Sequence, residues 1–205
     1  MRPLKVSWLT IVTHIIALTP LVALLWAFWQ RRLGADLIGE ATRRTGRYAL
    51  FFLMLSLTPT VISRLSGWKK VLRVRRTLGL YAFMYVAIHL FIHVGLDYGF
   101  DLGLFIETLP ESPFILAGLA AWLILVPLAI TSTTGWVRRL GRNWARLHRL
   151  VYLAGVLAVI HYAWHFKELR IQPLLAGIAL ALLLLARFSP VAMFLRRRAV
   201  TPDLR

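Results

Sequence analysis

Six long apolar stretches, separated by short basic segments, constrain this chain more than any other feature. They run over residues 8–29, 46–63, 77–95, 113–134, 147–166 and 173–195. A helix needs about 20 apolar residues to cross about 30 Å of hydrocarbon. Inside that layer only helices or closed barrels satisfy every backbone polar group. The expected fold is therefore all-α: one domain over residues 1–205, built as a bundle of six transmembrane helices. The second stretch is the shortest and contains Pro59, while Pro20 and Pro127 fall inside the first and fourth and predict kinks. A bundle tolerates such prolines because neighbours can satisfy the freed carbonyl. Trp8, Trp29, Trp68, Trp136, Trp144 and Trp164 fall near the predicted ends, as interfacial aromatics do. The first stretch is longer than a typical signal core and no small-x-small site follows it, so it reads as a retained anchor.

Composition narrows the class further. The chain is 59% hydrophobic, yet its 25 Lys and Arg outnumber 8 Asp and Glu, for a net charge of +17. A soluble domain does not combine so apolar a body with so much charge. The basic residues sit in short clusters between apolar runs, which suits lipid headgroups and argues against nucleic acid. There is no cysteine. That excludes disulfides, Cys-ligated iron–sulfur clusters, Cys-type zinc and covalent c-type haem. Histidine is the ligand left in quantity.

Loop charge sets the expected topology. With both termini cytoplasmic, the inner segments hold Arg2, Lys5, the cluster from Arg64 to Arg76, the cluster from Arg138 to Arg149, and Arg196 onward: seventeen of the 25 basic residues. The outer segments hold Arg31, Arg32, Arg43, Arg44, Arg47, Lys167 and Arg170, together with seven of the eight acids. The positive-inside rule therefore favours cytoplasmic termini, with the basic first loop as the one dissenting segment. Arg187 lies within the last stretch. No extramembrane domain and no long internal repeat is expected.

Four of six histidines, His89, His93, His161 and His165, lie within the third and fifth stretches. Ionisable groups in a bilayer are expensive, so each invites a functional reading. The third and fifth helices run in the same direction, and His89 and His161 sit at similar depth in the outer half. Two imidazoles facing each other across a bundle can ligate one haem iron axially. Such ligation leaves no open position and suits electron transfer. The alternative is a pair of histidines that only hydrogen-bond between helices. His93 and His165 lie one turn farther, at i+4. They offer a rival pair, contacts to haem propionates, or simple exposure at the interface. His14, alone in the first stretch, is expected to hydrogen-bond a neighbouring helix or line a pocket.

His148 precedes His161 by 13 residues, about 20 Å along a helix. That separation suits a second haem near the opposite face. The matching level of the third helix carries Arg75 and Arg76 instead of histidine. On an ideal helix His148 and His161 also point about 140° apart. A second haem at His148 thus requires an atypical partner or a single protein ligand, together with a kink or a differently placed haem.

The run Trp144-Ala-Arg-Leu-His148-Arg-Leu-Val-Tyr152, followed by Ile160-His161-Tyr162, resembles the fifth span of the ferric-reductase-like transmembrane family. So do Arg76-Thr-Leu-Gly79 leading to Ile88-His89-Leu90, and Thr131-Ser132 before a basic loop and Leu140-Gly141. The resemblance covers nearly the whole chain. It implies a haem b, a bound FMN and a bacterial inner-membrane location. It also implies electrons drawn from the quinone pool and delivered to a periplasmic molybdopterin reductase that repairs methionine sulfoxide. The positions matching the family pattern are His89, His148 and His161, and Arg75 matches a basic position beside the second haem site. Larger family members append a flavin and nicotinamide domain; this chain is expected to borrow its electrons.

No glycine-rich dinucleotide fingerprint is present. The phosphate of an FMN would need Arg or backbone donors, which Arg73, Arg75, Arg76 and the cluster from Arg138 to Arg149 could supply. The favoured account of most of these arginines is topology and anionic lipid. Trp144 and Tyr152 could pack on a flavin ring. The expected path enters at the inner face or from quinone and leaves at the His89–His161 level. There the acidic outer loop, Asp97, Asp101, Glu107 and Glu111, could dock a partner or simply be solvated. Two rivals stand beside this reading: a quinone-linked b-type cytochrome or ferric-reductase-like protein with another acceptor, and a haem-free transporter or assembly factor.

Overall fold

The structure is a computed structural model and describes residues 8–165 and 171–188. The expectations for Arg2, Lys5, Lys167, Arg170, the basic residues from Arg196 onward and the last stretch beyond residue 188 lie outside the described residues. Every regular element described is helical. In chain order these are α1 (Trp8–Trp29), α2 (Leu37–Ser66), a 3-10 turn (Lys69–Arg73) leading into α3 (Val74–Ile92), and a π turn (His93–Asp97). There follow α4 (Leu102–Thr108), α5 (Pro113–Ile130), α6 (Thr134–Leu140), α7 (Arg142–Leu147), a 3-10 turn (His148–Leu150), α8 (Val151–Trp164) and α9 (Ile171–Phe188).

Five helical runs are long and apolar enough to cross a membrane: Trp8–Trp29, Leu37–Ser66, Lys69–Asp97, Pro113–Ile130 and Arg142–Trp164. The apolar helix Ile171–Arg187 is shorter than that length among the described residues.

Several boundaries differ from the sequence expectation for physical reasons. The second helix begins at Leu37, not near residue 46. The Asp36 carboxylate accepts the Gly39 N–H at 2.9 Å and caps the helix. One turn on, Glu40 binds Arg44 at 2.7 Å and Arg43 at 3.2 Å, with Arg47 at 3.8 Å. Three of the five arginines of the dissenting basic segment are thus compensated locally by its own acids. The helix runs on through Pro59, whose ring removes the donor for the Leu55 carbonyl; the Thr58 hydroxyl donates to that carbonyl instead, at 2.8 Å. Gly67, at φ 71°, ends the helix in the left-handed conformation that glycine adopts without strain. The expected third loop contains α4, capped by Asp101 through Leu104 N–H at 2.9 Å. The loop after α5 contains α6 and α7, separated at Gly141.

The buried core is mainly apolar, but large apolar side chains also cover the outer surface, unlike that of a soluble protein. Trp8, Ile15, Val22, Trp26 and Phe28 of α1 are exposed, while Thr45 and Ser56 of α2 and Thr131 after α5 are buried. A lipid-facing helix gains nothing by hiding its apolar residues, so packing and hydrogen bonds hold the bundle. The centre is built on Tyr85, fully buried, stacked on Phe52 with ring planes 4° apart and donating from its hydroxyl to the Ala17 carbonyl at 2.6 Å. Three helices meet there. Gly155 lets α9 approach α8 until a Cβ at that position would touch Leu180 at 3.5 Å.

Candidate functional site

His89 on α3 and His161 on α8 face each other across the bundle. Their ring centroids lie 6.1 Å apart, with the ring planes at 79°. Each ring is anchored the same way from a different helix. His89 Nδ1–H donates to the Thr42 carbonyl of α2 at 2.9 Å, and His161 Nδ1–H donates to the Phe114 carbonyl of α5 at 2.6 Å. A carbonyl only accepts, so the proton is fixed on Nδ1 and the lone pair stays on Nε2 in both rings.

A glycine opens the space for each ring. A Cβ on Gly46 would stand 3.1 Å from the His89 ring, and one on Gly118 would stand 2.7 Å from His161 Nδ1. Gly46 follows Thr42 by one helical turn, and Gly118 follows Phe114 by one helical turn. Carbonyl and histidine are 47 residues apart in both halves. The α2–α3 and α5–α8 pairs therefore repeat one local design, offset by 72 positions in the numbering. Sequence reading expected no repeat and missed both glycines; the recurring Gly-to-His interval of 43 residues was the available signal.

The spacing between the rings accommodates one metal ion with two imidazole bonds of about 2 Å each. Among the described residues no group of three or more His, Cys, Asp or Glu side chains converges on a metal-sized point. A bare transition ion wants about four protein donors. Two histidines with fixed tautomers suit an iron whose remaining donors come from a porphyrin.

The other histidines have separate surroundings. His93 opens the π turn, pairs through Nδ1 with Asp97 at 2.8 Å, and meets the rings of Tyr98 and Phe105. His165 caps α8 and lies 5.9 Å from the Phe114 ring, centroid to centroid. Phe114 also stacks on His161, at 5.9 Å and 27°. His14 bonds the Tyr81 hydroxyl on α3 at 2.7 Å, which is the interhelical role expected of it.

His148 lies in the 3-10 turn ahead of α8, so the stretch expected as one helix is broken there and the ideal-helix angle to His161 does not apply. The Thr131 hydroxyl donates to the Pro127 carbonyl at 2.6 Å, which leaves its oxygen to accept from His148 Nε2–H at 3.1 Å. Trp144 stacks on the His148 ring at 4.1 Å and donates its indole N–H to the Thr131 carbonyl at 2.9 Å. Arg75 is an electrostatic neighbour of His148, as the sequence levels suggested. No second histidine faces it among the described residues.

Comparisons with known proteins give the family. The family described as the ferric reductase like transmembrane component matches residues 45–159, a range that holds Gly46, His89, Gly118 and His148 and ends two residues before His161. A protein of Xanthomonas euvesicatoria pv. vesicatoria (strain 85-10) is 48% identical over 177 residues, covering 83% of this chain and 81% of that protein. One from Deinococcus radiodurans is 44% identical over 192 residues, covering 93% of this chain and 95% of that protein. One from Xanthomonas oryzae pv. oryzae (strain MAFF 311018) is 47% identical over 177 residues, covering 83% and 81%. Each of the three bears the name protein-methionine-sulfoxide reductase heme-binding subunit MsrQ. No solved structure matches. With apolar helices in this number, the chain is a multi-pass membrane protein. It belongs to the ferric reductase like transmembrane family and, within it, to the MsrQ subunits.

Proposed function

We propose that this chain is the haem b electron-transfer subunit of a methionine sulfoxide reductase system. It takes electrons from the quinone pool or a flavin donor and passes them to a periplasmic molybdopterin reductase, MsrP. The observation that carries the reading is the His89–His161 pair, two rings 6.1 Å apart with both Nδ1 atoms committed to backbone carbonyls. The relatives' names support the haem and the methionine sulfoxide partnership.

His89 and His161 would hold the haem through Nε2, and the haem would supply a one-electron carrier at that level of the bundle. Thr42 and Phe114 hold the two rings in register, and Gly46 and Gly118 give them room. His148 and Arg75 mark the second cofactor position, at the end of the bundle that carries α6 and α7. An FMN belongs to the same system. The chain forms one transmembrane domain over residues 1–205, with six spans, both termini cytoplasmic, in the bacterial inner membrane. The positive-inside distribution supports that orientation. It places α4, with Asp101, Glu107 and the nearby Asp97, on the periplasmic side where the reductase docks.

The deciding experiment is the absorption spectrum of the purified protein. A Soret band with α and β bands on reduction is expected. His89→Ala and His161→Ala each abolish it, and His14→Ala leaves it intact. A colourless protein purified from haem-replete cells, or a normal Soret band in either ligand variant, defeats the assignment. Deleting a neighbouring molybdenum-reductase gene is expected to abolish methionine sulfoxide repair; unchanged repair would point to another acceptor. A C-terminal fluorescent fusion that folds only outside the cytoplasm would overturn the topology.

A further inference from the structure

The end of the bundle away from the histidine pair gathers four arginines from four helical segments. Arg64 lies near the end of α2 and Arg75 near the start of α3; Arg149 lies in the turn before α8 and Arg187 near the end of α9. Arg187 sits in an apolar helix with its guanidinium over the Tyr152 ring, 4.9 Å from the centroid. Its Nη1 is buried and has no hydrogen-bond partner among the described residues. Its electrostatic neighbours include Arg75, Arg64 and Arg149, all of like charge. The Arg64 guanidinium donates to the Arg187 backbone carbonyl, which ties α2 to α9 at this point.

Apart from the face of the Tyr152 ring, no described group offsets this charge. Every ion pair among the described residues belongs to Arg43, Arg44, Arg47 or His93. A topology signal alone needs positive charge in the loops; it does not need a cation in an apolar helix with an orphaned, buried donor and three like-charged neighbours. That arrangement is unfavourable unless an anion completes it. Guanidinium forks match the oxygens of phosphate in bidentate fashion, and several of them together suit a phosphate better than a single carboxylate.

We propose that Arg64, Arg75, Arg149 and Arg187 form a binding site for the phosphate group of a ligand, with Tyr152 as its aromatic wall. The phosphate comes either from a soluble phosphomonoester of the flavin mononucleotide kind or from an anionic phospholipid headgroup. The first source rests on the flavin proposed above; the second is independent of it. Neither depends on the His89–His161 assignment.

The test uses the haem-loaded full chain in phosphatidylcholine nanodiscs, with unfolding followed by tryptophan fluorescence and the Soret band recorded alongside. FMN is added in one arm, riboflavin in its control, and in a second arm the discs contain phosphatidylglycerol. Saturating phosphate ligand is expected to raise Tm by about 5 °C or more. A rise with FMN and none with riboflavin assigns the phosphomonoester; a rise with phosphatidylglycerol alone assigns the lipid. Arg187→Gln is expected to remove the rise. If that variant fails to fold, the exposed Arg64→Gln and Arg149→Gln carry the test, each expected to reduce the rise by at least half. No rise in either arm, an equal rise with riboflavin, or a rise that survives these substitutions overturns the proposal. A rise in protein that is purified from haem-replete cells and still lacks the Soret band would sustain this site and defeat the haem reading instead.

Discussion

The two histidine levels of this bundle use the same side chain in opposite ways. At the end near α4, His89 and His161 commit Nδ1 to backbone carbonyls and keep Nε2 for a ligand. At the other end, His148 commits Nε2 to Thr131, keeps Nδ1, and has one face covered by Trp144. The first level is symmetric, since two helix pairs each supply a carbonyl, a glycine and a histidine. The second is asymmetric, a histidine on one side and arginine on the other. An imidazole in a membrane protein is therefore not a ligand by depth alone. The atom that bonds its other nitrogen decides which lone pair it offers and in which direction.

The sharpest way to break the comparison is to fill the glycines. Gly118→Ala puts a methyl group 2.7 Å from the atom that holds His161 to Phe114, so ring or helix must move. Haem titration is expected to show affinity lowered about 10–100-fold, the usual range for disturbing a ligand's orienting shell. Gly46→Ala meets the His89 ring at 3.1 Å, a strain that a small ring shift relieves, and is expected to have a smaller effect. Equal effects, or the reverse order, would mean the halves are not held as the geometry indicates.

A second test separates the levels. His148→Ala is expected to leave the amplitude of the principal Soret band within a tenth of the parent's, with any change confined to a minor component. Loss of most of the band would move the main cofactor to the wrong end of the bundle.

Smaller effects should follow from the hydrogen bonds that hold each level. Thr131→Val removes the hydroxyl that links Pro127 and His148, and is expected to cost about 1–2 kcal/mol in an unfolding measurement. Tyr85→Phe breaks the bond to the Ala17 carbonyl while keeping the stack on Phe52, and is expected to cost about 1 kcal/mol. If Tyr85→Phe cost more than Thr131→Val, the bundle centre would outweigh the His148 level in stability.

The sequence by itself determined the helical class, the location of five of the apolar spans, the histidines at matching levels, and the arginine near His148. These are consequences of composition and of the 1.5 Å helical rise, which any apolar stretch must obey in a bilayer. For His14 it offered a bond to a neighbouring helix or a place in a pocket, and the Tyr81 hydroxyl supplies the bond. The tertiary structure alone decided which nitrogen His89 and His161 keep for a ligand, because the deciding carbonyls of Thr42 and Phe114 lie 47 residues away and carbonyls leave no mark in a sequence. It alone showed that Glu40 answers Arg43, Arg44 and Arg47, that a 3-10 turn breaks the fifth stretch at His148, and that Arg187 closes on Arg64 from a distant helix. Periodicity reports the face of a helix. The neighbour that face meets is set only when the helices pack.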